Sequence, residues 1–107
     1  MDIVNLSLGS SGVIGSTCDS ASSCETALGS TIYTAMEALG SASIIQVYAA
    51  GNDGNSSPNT LAGAAIYDDD FKETTVIAVA IDSTGNLASY SDKCGVAKAI
   101  CLSLIHI

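Results

Sequence analysis

Three runs of apolar residues, separated by turn residues, predict three buried strands. The runs cover residues 2–9, 44–50 and 74–81, and each stops at a glycine or at a polar turn. Short apolar runs bounded in this way are typical of buried parallel strands. Residues 87–91 alternate between apolar and polar side chains, which predicts a short, half-exposed fourth strand.

The segment between the first two strands predicts one helix over residues 24–39. Five apolar side chains recur there at helical spacing: Leu28, Ile32, Ala35, Met36 and Leu39. Ser22 and Glu25 have capping-box spacing, and Gly40 is a natural stop. We interpret Met36 as a core residue. A strand, helix, strand unit joins parallel strands, so the predicted fold class is α/β with a parallel sheet.

Parallel pairing places the ends of the first two strands side by side. Gly9 then lies next to Gly51, at the sheet edge where open α/β proteins bind their ligands. Asn5 and Ser7 point to one face of the first strand and need polar partners or a cleft. Asn52 follows Gly51 and offers a neutral N–H donor at this edge. The alternative is that residues 51–54, Gly-Asn-Asp-Gly, form only a turn.

The connection over residues 53–73 is long, and connections of this length are usually functional or mobile. It contains three adjacent acids, Asp68, Asp69 and Asp70. Their spacing is not that of an EF-hand calcium loop, so a solvated acidic bend is the favoured interpretation.

Length and charge exclude several classes of function. A chain of 107 residues forms one domain at most, and 48% hydrophobic content argues against disorder. The net charge is −8, with three lysines and no arginine, so we expect no nucleic-acid partner and no binding to an anionic membrane surface. No apolar run is long enough for a membrane span.

Four cysteines form two close pairs, Cys18 with Cys24 and Cys94 with Cys101. Neither spacing fits the paired cysteines of a zinc site, and we expect no metal there. Two local disulfides are the favoured interpretation and imply an oxidising compartment. Four free buried thiols are the alternative.

Four segments, in order, resemble the subtilisin-like (S8) serine peptidases: residues 2–9, 47–54, 76–82 and 87–91. Residues 93–101 are similar to the Cys-bracketed segment of autotransporter-type subtilases of Gram-negative bacteria. The resemblance implies a serine-type endopeptidase with a three-layer subtilisin-like fold, incomplete in this chain. It also implies a secreted, cell-surface or periplasmic location and no cofactor. The resemblance leaves open whether the parent protein binds calcium, and no calcium site is assigned to residues of this chain.

The resemblance also implies roles for individual residues. Asn52 matches the side-chain donor of the oxyanion hole. Three residues match the strand that pairs with an extended polypeptide substrate: Ser7, Leu8 and Gly9. Three small residues match a wall of the pocket for the residue before the scissile bond: Ala49, Ala50 and Gly51. Asp53 matches the rim of that pocket, where an acid weakly disfavours acidic substrates.

The catalytic triad of this family is absent from the sequence. The family's Asp and His motifs would precede Met1, and its Gly-Thr-Ser motif would follow residue 107. His106 is the sole histidine and lies in residues 102–107, which look like a translated sequencing adapter. We therefore expect residues 1–101 to be a partial catalytic domain, inactive and aggregation-prone by itself, and Met1 need not be a true start.

Two other functions compete with the peptidase. A non-catalytic subtilase-like module would bind an extended peptide without cutting it, and the flanking sequence of the parent protein discriminates between the two. A nucleotide-binding domain would need Gly-x-Gly-x-x-Gly after the first strand, which residues 9–12 do not supply.

Overall fold

A parallel four-stranded sheet forms the centre of the molecule. The computed structural model describes residues 2–102, so His106 and most of the tail predicted to be an artefact lie outside the described residues. The strands are β1 (Ile3–Leu6), β2 (Ile45–Ala49), β3 (Thr75–Ala78) and β4 (Cys101–Leu102). They pair in the order β1-β2-β3-β4, all in parallel. The predicted α/β class is confirmed.

The predicted single helix over residues 24–39 is wrong in its bounds and in its continuity. Two helices occupy the region, α1 (Ala21–Leu28) and α2 (Ser30–Ser41). Gly29 separates them with a φ of 94°, a backbone conformation that an α-helix cannot contain. The capping box is made by Ser20 and Ser23 rather than by Ser22 and Glu25, which moves the start towards the N-terminus.

The long connection between β2 and β3 is structured. It contains the short helix α3 (Thr60–Gly63) and two 3-10 helices, Ala64–Tyr67 and Lys72–Thr74. Residues 57–65 are all buried, so the connection packs into the core instead of forming a mobile surface loop. The acidic bend is only partly solvated, because Asp68 is buried whereas Asp69 and Asp70 are exposed.

The strand predicted at residues 87–91 is not formed. Leu87 makes one isolated antiparallel bridge with Ile81, and the chain then turns. Alternating polarity produces a strand only where a partner strand is available. Next to the bridge, the Ala88 amide donates to the Ala80 carbonyl at 2.9 Å. A 3-10 helix, Gly95–Ile100, then leads into β4.

The helices cover one face of the sheet. Each crossover moves one strand further from β1 towards β4, and right-handed crossovers that move in one direction lie on the same face. Gln46 and Tyr48 of β2 are buried beneath α2, and Met36 of α2 is also buried, as predicted. Within residues 2–102 no helical layer covers the opposite face, so the third layer stays a prediction.

Both predicted disulfides are present. Cys18 bonds to Cys24, and Cys94 bonds to Cys101, which leaves none of the four cysteines free. The first bond ties the turn before α1 to that helix, and the second closes the segment that precedes β4. Among the described residues, no helix has the length and apolar character needed to cross a membrane.

Candidate functional site

A polar cleft opens where β1 and β2 end. Leu6 and Tyr48 are register partners, so the residues that follow them leave the sheet side by side. The cleft has a volume of about 400 Å³. Its lining comes from two stretches and one further residue: Ser7–Ser11, the β2 end with its turn (Ala49, Gly51, Asn52 and Asp53), and Asn59. The structure thus brings together seven of the eight residues that the sequence analysis assigned to the site.

The eighth residue, Ala50, lines a smaller pocket of about 200 Å³ next to the cleft. Ser7, Ala49, Gly51 and Asn52 border both spaces. The pocket also receives Asn5, whose Oδ1 accepts a hydrogen bond from the Ser7 hydroxyl at 3.3 Å. Asn5 and Ser7 therefore share one hydrogen bond and border an open pocket.

The stretch Ser7–Gly9 follows β1 directly, and its main chain is unpaired. Within residues 2–102, the amides and carbonyls of these residues make no backbone hydrogen bond. The Leu8 side chain is 53% exposed. An extended peptide could therefore add to this edge as a further strand.

The turn that carries Asn52 is fixed by residues 90–93, which we name the clamp segment. The Asp92 amide donates to the Gly51 carbonyl, the Gly54 amide to the Tyr90 carbonyl, and the Lys93 amide to the Asn55 carbonyl, each at 2.9 Å. These bonds hold both sides of the turn. The Asn52 side chain is exposed at the cleft and makes no hydrogen bond to any of the described residues.

Asn59 supports the other side of the turn, a role that the sequence analysis missed. Its Nδ2 donates to the carbonyls of Ala49 and Ala50 at 3.1 and 2.8 Å, and its Oδ1 accepts from the Ala62 amide. Gly9 passes close to this side chain, since a Cβ at Gly9 would lie 2.9 Å from Nδ2. A sequence signal existed, because asparagine before Thr60 is a favoured N-cap.

A group of carboxylates lies outside the cleft lining. Carboxylate oxygens of Glu37, Asp68 and Asp70 are all within 4.8 Å of one another. Both Asp68 oxygens are already engaged, one by the Tyr33 hydroxyl at 2.6 Å and the other by the Asp70 amide at 2.9 Å. Burial of the Tyr33 hydroxyl and its hydrogen bond to Asp68 raise the pKa of Tyr33 well above its usual range. We assign no ligand to the group.

Comparison with known proteins decides the family. The model of the subtilase family matches residues 1–104. The chain belongs to the subtilase family. It is also similar to the serotype-specific antigen 1 of Mannheimia haemolytica, with 35% identity over 57 residues. That match covers 53% of this subtilase chain but only 6% of the relative's length.

Membership gives the cleft a general chemical context, because the subtilases are serine peptidases. A serine peptidase needs a site for an extended polypeptide and donors for the anion formed at the attacked carbonyl. In this subtilase chain an exposed side-chain amide, that of Asn52, and an unpaired main-chain stretch, Ser7–Gly9, border one cleft.

Proposed function

We propose that this chain forms part of the catalytic domain of a secreted, autotransporter-type serine endopeptidase of a Gram-negative bacterium. In this proposal Asn52 is the oxyanion donor, residues 7–9 bind the substrate main chain, and the Asp/His/Ser triad comes from other parts of a longer parent protein. The observation that carries the proposal is that the free Asn52 amide and the unpaired Ser7–Gly9 main chain border the same cleft.

The chemistry of the Asn52 amide suits the oxyanion role. When the serine of the parent attacks the scissile carbonyl, the carbonyl oxygen becomes an anion. A donor held in place before the reaction stabilises that anion more than the neutral carbonyl of the substrate, which lowers the barrier. The Nδ2 group carries N–H donors that do not titrate, so this contribution is constant with pH.

The pocket next to the cleft suits the substrate residue before the scissile bond. Ala49, Ala50 and Gly51 contribute small side chains, or none, to its wall. This leaves room for a sizeable apolar group of the substrate. Asp53 is exposed at the rim of the cleft and would weakly disfavour an acidic residue nearby.

The secreted location is supported by the two disulfides, because such bonds persist in oxidising compartments. Residues 93–101 carry the autotransporter-type resemblance, and the Cys94–Cys101 bond brackets that segment. The similarity to a bacterial antigen agrees with this location.

The first experiment reads the parent gene through both ends of this chain. The proposal expects an Asp motif and a His motif upstream and a Gly-Thr-Ser motif downstream. Flanks without the histidine and the serine would contradict the peptidase.

The second experiment replaces Asn52 by alanine in the full-length parent. We expect kcat to fall about 10²–10³-fold, a magnitude measured on subtilisin itself for loss of this donor, with KM little changed. Asn86→Ala is the matched control, because Asn86 is an exposed asparagine on a turn that does not line the cleft. An unchanged kcat in Asn52→Ala would refute the oxyanion role.

A peptide-binding module without catalysis is the second candidate. The unpaired main chain of residues 7–9 favours it, since β-strand addition requires no triad. This candidate predicts that the full-length parent binds an extended peptide and leaves it uncut.

A further inference from the structure

The Asp92 side chain makes a second set of contacts with the turn that carries Asn52. Its Oδ1 accepts hydrogen bonds from the amides of Asp53 and Asn55, at 3.0 and 2.9 Å. These amides lie on the C-terminal side of Asn52, whereas the Asp92 amide bonds to Gly51 on the N-terminal side. One residue therefore contacts the main chain before and after Asn52.

The second carboxylate oxygen of Asp92 occupies the space beneath Gly51. A Cβ at Gly51 would lie 2.3 Å from Asp92 Oδ2, and Gly51 has a φ of 125°, which favours glycine. The turn thus approaches the carboxylate as closely as it does because residue 51 has no side chain.

Burial of Asp92 has a cost for stability. The residue is 0% exposed, and Oδ2 has no hydrogen-bond partner among the described residues. A buried polar oxygen without a partner destabilises the folded state, and more so if it is charged. This buried carboxylate lies next to the cleft lining, where it fixes the turn that carries Asn52.

We propose that Asp92 is a positioning residue for Asn52. The carboxylate fixes the path of residues 51–55, and this path holds the Asn52 amide at the cleft in the orientation that an oxyanion requires. The assignment rests on the proposed oxyanion role of Asn52. It goes further in naming the residue that makes the donor rigid before substrate arrives, which is the condition for a large electrostatic effect.

The test compares variants of the full-length parent. In Asp92→Ala two backbone amides lose their acceptor, so we expect kcat to fall about 10–100-fold, the size of effect that a misplacement of about 1 Å produces. In Asp92→Asn the side-chain carbonyl still accepts from both amides, and kcat should return to within about threefold of wild type. The matched control is Asp82→Ala, which removes a carboxylate that accepts from the Thr84 and Asn86 amides on a turn outside the cleft.

A double-mutant cycle separates positioning from general destabilisation. If Asp92 acts through Asn52, Asp92→Ala should lower kcat by less than about threefold in a protein that already carries Asn52→Ala. An equal loss in both backgrounds, or an equal loss in Asp92→Ala and Asp92→Asn, would overturn the assignment. Should Asp92→Ala fail to fold, Asp92→Ser replaces it, because the shorter hydroxyl cannot accept from both amides.

Hydrogen exchange tests the positioning without relying on activity. Amides in residues 51–55 should exchange faster in Asp92→Ala and at the wild-type rate in Asp92→Asn and Asp82→Ala. Unchanged exchange in Asp92→Ala would show that the Asp92 carboxylate does not hold residues 51–55 in place. An unchanged kcat in Asn52→Ala, together with faster exchange in Asp92→Ala, would instead show that the oxyanion proposal has failed.

Discussion

At the scale of single residues, Tyr48 and Gln46 form a polar pair inside the core. Tyr48 is 1% exposed, and its hydroxyl donates to Gln46 Oε1 at 2.5 Å. Gln46 Nε2 in turn donates to the Met36 carbonyl at 3.1 Å, which connects β2 to α2. Burial raises the pKa of Tyr48 to about 12, because the phenolate would lose its hydration there.

This shift predicts a loss of stability at alkaline pH. The pKa of Tyr48 is higher in the folded than in the unfolded chain. The contribution of the neutral Tyr48 side chain to stability is therefore complete below about pH 10 and disappears as the pH rises towards 12. Tyr48→Phe should flatten this decline in urea denaturation of the 107-residue chain between pH 8 and 12. It should also cost about 1–3 kcal/mol at pH 8, because Gln46 Oε1 loses its donor.

Tyr90→Phe is the control for this prediction, since Tyr90 is 54% exposed. Its stability should follow that of the wild type at each pH. The same alkaline slope in wild type and Tyr48→Phe would contradict the prediction. Part of the slope should remain in Tyr48→Phe, because burial also raises the pKa of Tyr33.

How far the sequence predicts the site depends on the distance between partners along the chain. Asn52 and Ser7 could be placed together because one crossover unit fixes where two parallel strands end. Asp92 could not be connected with them, since its contact with the turn spans 39 positions to Asp53 and depends on a loop without periodicity. Asn59 was missed for a smaller reason, because its N-cap signal precedes a helix of only four residues.

At the scale of elements, Gly40 allows α2 to approach the connection before β3. The residue lies inside α2, not at its end as the sequence suggested. A Cβ at Gly40 would lie 2.5 Å from the Phe71 Cβ and 2.7 Å from the Asp70 carbonyl oxygen. Gly40 is therefore required for close packing and does not terminate the helix.

Gly40→Ala should destabilise the 107-residue chain in spite of the higher helix propensity of alanine. Propensity favours alanine by about 1 kcal/mol, whereas forced movement of a packed backbone costs about 1–3 kcal/mol. We expect a net loss of about 1 kcal/mol in urea denaturation. Ser41→Ala, at an exposed neighbouring position, is the control and should change stability by less than about 0.5 kcal/mol. A Gly40→Ala chain more stable than wild type would contradict the packing argument.

The existence of the elements was more predictable than their ends. The strands β1, β2 and β3 follow directly from apolar runs, although each is shorter than its run. The break at Gly29 depends on a single backbone angle. The apolar stripe continues across Gly29, so the pattern of the sequence does not reveal the break. The two-residue strand β4 carries no pattern of its own and depends on pairing with β3.

At the scale of the whole molecule, part of the apolar stripe that predicted a helix faces solvent. Leu28, Ile32 and Met36 line a groove together with Leu6 and Leu8, and Ile32 is 51% exposed. No described residue covers this groove, and β1 is an edge strand within the described sheet. Low solubility of the isolated chain therefore stays a prediction, with a physical basis in open edges and exposed apolar side chains.

The two disulfides close rings of nearly equal size but connect different parts of the molecule. Cys18–Cys24 has a sequence separation of 6 and anchors the start of α1. Cys94–Cys101 has a separation of 7 and links the residue that follows the clamp segment to β4, which pairs with β3. Chain entropy predicts a stabilisation of about 2 kcal/mol for each ring.

Removal of either bond should therefore lower stability to a similar extent, with different effects on the site. In the full-length parent, Cys94→Ser/Cys101→Ser should lower kcat and speed hydrogen exchange in residues 51–55, because Lys93 next to Cys94 bonds to Asn55. Cys18→Ser/Cys24→Ser is the matched control and should leave both quantities near the wild-type values. Equal effects of the two pairs on exchange in residues 51–55 would mean that the second disulfide stabilises the fold as a whole and does not specifically support the turn that carries Asn52.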